Sequence, residues 1–243
     1  MRRGIIRGLW GDVASHRNGK IAKEIQSVED KSWFTVYVFG ADNYNWLKET
    51  GFNVALVDRK SSKWDLDTEM YRHKLAVFER AMRDFDEIVF LDWDCVQTGS
   101  MDGMWEKLNE KEVLQANLFM YRTKKCLWRT EDHRKVCNGG FVYMRDKKIP
   151  HRVIKLYDEL YEWVAKRKAE RAARGLELRF REKALIYDDE PAISKYIDDY
   201  LGGWKGAEHY WENFEPSVCN LRRKSVFSKD RLEAKNACFL HRL

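Results

Sequence analysis

The stretch Asp86-Glu87-Ile88-Val89-Phe90-Leu91-Asp92-Trp93-Asp94 decides the fold of this sequence. Its residues 88–91 (IVFL) are all apolar, as is typical of a strand that is buried on both faces. One aspartate follows that strand at once and another follows two residues later. If the chain stays extended, both carboxylates lie on one side of it, because side chains alternate along a strand. Two adjacent carboxylates repel each other unless water or a cation neutralises them, so the stretch predicts a Mg²⁺ or Mn²⁺ site.

Strand and helix patterns alternate on both sides of this stretch. Strands are predicted at 4–10, 33–39, 53–57, 88–91, 113–121 and 140–144, and helices at 21–28, 70–85, 153–164 and 192–200. The third helix continues into the highly charged segment 165–183, which is either a solvated helical extension with salt-bridging pairs or an arm that contacts a polyanion. The alternation predicts an α/β sheet with helices on its faces. Ligands of such sheets bind at the carboxyl ends of strands, where Asp92 and Asp94 lie.

Composition narrows the class of protein. The chain has 243 residues and a formal net charge of +6, which favours anionic partners such as nucleotides, nucleic acids or anionic glycans, although ordinary surface charge explains it equally well. The five cysteines form no CxxC pair, so reduced intracellular cysteine is expected rather than a disulfide framework or a zinc site. The sequence contains no signal-peptide core and no apolar run of membrane length. These features predict a cytoplasmic protein without stable membrane insertion.

The stretch 86–94 resembles the D-x-D segment of GT-A glycosyltransferases, especially the family 8 and glycogenin-like group. Further segments are similar to motifs of that group and occur in the same order, namely Tyr71-Arg72-His73-Lys74-Leu75, Cys137-Asn138-Gly139-Gly140-Phe141-Val142-Tyr143-Met144, Asp188-Asp189-Glu190-Pro191 and His241. The resemblance implies one Rossmann-like GT-A domain over residues 1–243 with a mixed, mainly parallel sheet. Residues 1–100 would form its nucleotide-binding half and residues 101–243 its acceptor-side half.

The resemblance also implies roles for individual residues. The metal ligands would be Asp92, Asp94 and His241, and the catalytic carboxylates would be Asp189 and Glu190, where the family often has Gln at the second position. The donor, with a UDP-sugar favoured, would be bound by Gly8, Trp10, Arg72, Lys74, Asp92, Trp93, Asn138, Gly139 and Gly140. The bound Mn²⁺ or Mg²⁺ would bridge the two phosphates and stabilise the nucleoside diphosphate as a leaving group.

Ordinary structural roles remain open for several of these residues. Arg72 and Lys74 either neutralise the diphosphate or form salt bridges on the helix surface. Residues 138–140 either let a sugar approach the backbone or form a tight turn. Asp189 either faces the ligand or caps the following helix, or does both. Trp10 either stacks on the nucleobase or packs in the core.

The predicted reaction is transfer of a sugar from a nucleoside-diphosphate sugar to an acceptor hydroxyl. Asp189 or Glu190 would either deprotonate the acceptor, which gives inversion, or stabilise positive charge at the anomeric centre, in keeping with the retention that the resemblance favours. The basic segments 122–125, 167–174 and 222–224 favour hydroxymethylated bases in DNA as the acceptor, as for bacteriophage enzymes acting in an infected host. Lipopolysaccharide or another surface glycan is the alternative acceptor. A metal-dependent nuclease is the alternative from another class.

Overall fold

The computed structural model describes most of the chain. The described residues are 1–14, 20–26, 31–57, 69–93, 95–97, 105, 118–122, 137–183, 185–186, 189–200, 218–221 and 239–242. The strands are β1 (Arg3–Leu9), β2 (Phe34–Val38), β3 (Asn53–Leu56), β4 (Glu87–Leu91), β5 (Cys95–Gln97), β6 (Leu118–Arg122), β7 (Cys137–Met144), β8 (Val218–Leu221) and β9 (Phe239–Arg242). The helices are α1 (Lys20–Gln26), α2 (Ala41–Glu49), α3 (Glu69–Asp84), α4 (Lys148–Ala172), α5 (Phe180–Lys183) and α6 (Glu190–Tyr200).

A six-stranded sheet in the order β3-β2-β1-β4-β7-β6 forms the centre of the fold. The first four strands of that order are mutually parallel, and β7 runs antiparallel to both β4 and β6. The predicted α/β class with a mixed, mainly parallel sheet is therefore confirmed. The predicted strand at 88–91 is β4, and the carboxyl ends of β1, β2 and β4 meet at one edge, because parallel strands end on the same side.

Apolar side chains cover both faces of the sheet. One face packs against α3, α4 and α6, and its core includes Ile6, Phe78, Phe90 and Tyr157. The second core, on residues such as Ile5, Leu9, Phe34 and Trp93, lies on the alternate side chains of the same strands. Since β1 is buried from Gly4 to Leu9, its alternation also sends Arg7 to the side of Ile5 and Leu9.

The prediction missed α2, which joins β2 to β3 where two consecutive strands were expected. The helix begins after Gly40, whose φ of 85° is readily available only to glycine. Only Asn43 and Leu47 of its side chains are buried, so the sequence carries almost no helical apolar period. Asn43 donates hydrogen bonds to Gly11 O and Phe39 O, which tie the start of the helix to the loops after β1 and β2.

Two further segments refine the prediction. The charged continuation of the third helix is helical only as far as Ala172, and the chain then turns at Gly175, with φ 66°, towards α5. Arg167 and Arg171 both form salt bridges with Glu182, which brace the extension against α5.

A separate three-stranded sheet has the order β5-β9-β8, and its register pairs Cys95 with His241. Among the described helices, none combines the length and apolar content needed to cross a membrane.

Candidate functional site

The chain turns sharply where β4 ends. The backbone N–H of Cys95 donates to Asp92 O at 3.0 Å, and the N–H of Asp92 donates to Gly140 O on β7 at 2.9 Å. The first of these bonds closes a turn between Asp92 and Cys95, so the chain does not continue beyond Asp92 as an extended strand. Asp92 remains accessible, with 37 % of its side chain exposed. Asp94 lies outside the described residues.

Trp93 points away from the exposed edge into the core. Its indole N–H donates to Gly8 O at 2.7 Å, and its ring meets Phe52 edge-on. The side chain is 9 % exposed. Trp93, assigned above to donor binding, therefore anchors the turn to β1 through Gly8 O.

Arg7 is a residue of this site that the sequence prediction missed. It is fully buried, and its guanidinium donates to Asp92 O at 3.0 Å and to Cys95 O at 2.7 Å. The two carbonyls are the first and last of the turn. The only signal in the sequence is an arginine inside the apolar strand GIIRGL, where a charge is costly to bury unless it is hydrogen bonded.

Lys74 connects the D-x-D turn with the start of α6. Its buried ammonium lies 3.4 Å from an oxygen of Asp92 and 3.4 Å from an oxygen of Asp189, and it donates to Gly139 O at 2.8 Å. Asp189 is 2 % exposed, and its backbone oxygen accepts the first hydrogen bond of α6 from Ile193. The ammonium of Lys74 thus brings together Asp92 and Asp189, and all three predicted residues come from separate parts of the chain.

Gly139 and Glu190 complete the cluster on the side of β7. The carboxylate of Glu190 accepts a hydrogen bond from the backbone N–H of Gly139 at 2.9 Å, and it is buried. A Cβ on Gly139 would lie 2.7 Å from the Lys74 ammonium and 3.0 Å from an oxygen of Asp189. Glycine at this position therefore leaves room for the lysine ammonium beside Asp189.

The remaining residues predicted to bind the donor make contacts of several kinds. Arg72 forms a salt bridge with Asp158 of α4 at 3.1 Å. Trp10 stacks on His73 with the planes 20° apart, and the missing side chain of Gly8 leaves room for the Trp10 ring. Gly140 supplies the carbonyl that binds Asp92 N–H. The side chain of Asn138 lies outside the described part of the chain.

The predicted metal ligands are only partly described. In the described part of the chain, no three His, Cys, Asp or Glu side chains form a group that could hold a metal ion. The side chains of Asp94 and His241 fall outside that part. The backbone register nevertheless pairs His241 with Cys95, the residue after Asp94, so β9 runs directly beside the D-x-D turn.

Several of the solved structures that are similar to this chain are glycosyltransferases. The apo form of mouse xyloside xylosyltransferase 1 matches with a TM-score of 0.53 and 9% identity, over 98% of this chain and 97% of that chain. Galactosyltransferase LgtC in complex with donor and acceptor sugar analogs matches with a TM-score of 0.49 and 13% identity, over 98% and 86%. The glycosyltransferase GlyE of Streptococcus pneumoniae TIGR4 matches with a TM-score of 0.48 and 15% identity, over 99% of this chain but only 54% of that chain. This chain thus spans about half the length of the GlyE structure.

Neither family models nor curated protein sequences match this chain. At such low identities the structural similarity establishes the fold alone, and the predicted GT-A fold is confirmed in this sense.

Proposed function

We propose that this protein is a metal-dependent glycosyltransferase that moves a sugar from a nucleoside-diphosphate sugar, with UDP-sugar favoured, to an acceptor hydroxyl. The observation that carries the proposal is the meeting of Asp92, Lys74 and Asp189 beside a glycine backbone, at the edge where parallel strands end. A cation, a basic side chain and a buried carboxylate are the groups needed for a diphosphate leaving group and a sugar beside it.

The candidate metal ligands near the turn are of the chemical types that bind a hard divalent cation. Asp92 offers an exposed carboxylate, and Asp94 and His241 are the neighbouring candidates on the turn and on β9. Oxygen ligands with one imidazole suit Mn²⁺ well and Mg²⁺ acceptably. The bound ion would supply charge neutralisation of the diphosphate.

The protein side chains then orient the donor. Lys74 faces the anionic part of the donor while it keeps Asp92 and Asp189 in position. Gly139, Gly140 and Asn138 of β7 would lie next to the donor sugar, with the space beside Gly139 taken by the Lys74 ammonium and Asp189, and Asn138 offers both a hydrogen-bond donor and an acceptor. Gly8 and Trp10 lie at the end of β1, where the nucleobase would bind beside the Trp10 ring that stacks on His73, and Arg72 adds positive charge on the same helix as Lys74.

Asp189 and Glu190 have different roles beside the sugar. We assign the catalytic role to Asp189, which is held against Lys74, and it either deprotonates the acceptor or stabilises positive charge at the anomeric carbon. Glu190 acts by positioning, because its carboxylate holds the N–H of Gly139 and so fixes β7 against the start of α6.

Two substitutions of Glu190 separate these roles. Glu190→Gln keeps an oxygen that accepts the Gly139 N–H, so kcat/KM should stay within about threefold of the wild type, whereas Glu190→Ala should lose about 50-fold. Asp189→Asn is the matched comparison and should lose about 10³-fold. A steady-state assay of nucleoside-diphosphate release measures all three. A loss for Glu190→Gln as large as that for Asp189→Asn would return the catalytic role to Glu190.

A thermal-shift panel of nucleotide sugars with Mn²⁺ tests the class of enzyme and identifies the donor. The correct donor at about 100 times its Kd should raise Tm by about 5 °C, and the rise should depend on Mn²⁺. Asp92→Asn should lose the metal-dependent part of the rise. A metal-dependent nuclease would ignore every sugar in the panel and would cleave DNA with Mg²⁺ instead.

We propose hydroxymethylated bases in DNA as the acceptor, in the cytoplasm of a bacterium or of a phage-infected host. The net charge of +6 supports a polyanion, as do the exposed cations Lys166, Lys168 and Arg174 at the end of α4. A base inside a duplex would have to be flipped out of the stack. Hydroxymethylated duplex should stimulate donor turnover, and unmodified duplex should not. Stimulation by a lipopolysaccharide-type saccharide alone, or no affinity for duplex DNA at low salt, would replace this acceptor.

A further inference from the structure

Arg7 lies inside the protein although its side chain carries a permanent charge. It is on β1, on the face that also carries Ile5 and Leu9, and it is fully buried. A buried cation is expensive unless hydrogen bonds and polarisable neighbours replace the lost water. Burying Arg7 therefore costs stability, and the contacts that compensate for this cost indicate its role.

Two hydrogen bonds of Arg7 go to the turn that begins at Asp92. One nitrogen binds Asp92 O at 3.0 Å and the other binds Cys95 O at 2.7 Å. A guanidinium is a rigid planar fork, so it holds the two carbonyls at a set separation, which the single ammonium of a lysine does not do. The turn is thereby clamped at its first and last residues.

Two aromatic rings lie close to the guanidinium. Its central carbon lies 4.8 Å from the centre of the Phe34 ring and 5.0 Å from the centre of the Trp93 ring. Trp93 is itself part of the turn, and its indole is bound to Gly8 O, next to Arg7 in the chain. Trp93 therefore connects the turn to the guanidinium, which both rings attract by cation–π interaction.

We infer that Arg7 is a positioning residue that presets the Asp92 turn for a divalent cation. This inference rests on the metal site proposed above. Arg7 holds the carbonyls of the turn from β1, while Lys74 contacts the carboxylate of Asp92 from α3. With the backbone held at Asp92 and Cys95, little ordering of Asp92 would be left for the binding step.

Arg7→Lys tests this role, with Arg3→Lys as its matched control. Arg3 is on the same strand, pairs with the buried Glu87 at 3.2 Å and lies over the ring of Trp105, but it is at the opposite end of β1 from the turn. Free Mn²⁺ is titrated with each purified full-length variant and followed by electron paramagnetic resonance, with no donor present. Arg7→Lys should bind Mn²⁺ about tenfold more weakly, and Arg3→Lys should match the wild type.

A second readout separates positioning from general loss of structure. At saturating Mn²⁺ and donor, kcat of Arg7→Lys should return to within about threefold of the wild type, because excess cation compensates for a turn that is less well preset. If Arg7→Lys does not fold, Phe34→Leu decides the question. It keeps Arg7 but removes one aromatic face, and it should weaken Mn²⁺ binding about threefold.

The outcomes distinguish the two proposals. Mn²⁺ affinity that is unchanged in a folded Arg7→Lys protein, or in Phe34→Leu where that variant has to decide, would overturn the role of Arg7 and leave the metal site standing. Absence of Mn²⁺ binding by the wild type would overturn the metal site and this inference with it.

Discussion

Replacing Asp92 with Asn is expected to lower kcat/KM for sugar transfer by about 10³-fold, since a metal-held diphosphate is worth several kcal/mol in the transition state. The substitution keeps the size of the side chain and removes the charge that a cation and Lys74 both use. The side chain is 37 % exposed, so the folded state should lose little stability. Steady-state kinetics over a Mn²⁺ titration measures the effect, and far-ultraviolet circular dichroism confirms the fold.

Asp86→Asn is the matched control for Asp92→Asn. Asp86 precedes β4 where Asp92 follows it, and its carboxylate accepts a hydrogen bond from the backbone N–H of Arg2 at 2.8 Å. That bond, ahead of the nearby Lys147 and Arg2 charges, lowers the pKa of Asp86 below its usual value. Asp86→Asn should leave kcat/KM within about twofold of the wild type. Full turnover of Asp92→Asn with saturating metal would reject the proposed role of the turn.

Local sequence patterns predicted the elements that carry the site. The apolar run 88–91 is β4, and Asp92 follows it directly. The helix predicted at 70–85 is α3 at Glu69–Asp84, and it carries Lys74. Each of these features depends on side chains close together in the sequence, where hydrophobic period and strand length are informative.

Contacts between distant segments escaped prediction. Arg7 is buried in the core beside the Phe34 ring and the carbonyls of the turn at Asp92, which come from elsewhere in the chain. Trp93 is buried in the same way, beside Gly8 and Arg7. A pattern of single residues records neither the partner nor the direction of a side chain. The sequence therefore predicted which residues surround the site better than how each one acts there.

The buried charges around Lys74 lead to the second large effect. Lys74→Met keeps much of the side-chain volume but leaves Asp189, which is 2 % exposed, as a carboxylate without its ammonium neighbour. Breaking a buried ion pair from one side should lower the free energy of unfolding by about 3 kcal/mol. The bond to Gly139 O is lost as well. Urea titration measures the stability, and nucleoside-diphosphate release measures activity.

Adding Asp189→Asn to Lys74→Met tests whether the lysine serves stability alone. The double variant removes the uncompensated charge and keeps a residue that is well suited to start α6, so it should recover about 2 kcal/mol of the loss. Transfer activity should remain at least about 10³-fold below the wild type, because neither the positive charge facing the diphosphate nor the carboxylate facing the sugar is restored. The double variant thus separates the effect on stability from the effect on catalysis. If it regained activity along with stability, the Lys74–Asp189 pair would be a structural contact only, and the donor site would lose its central support.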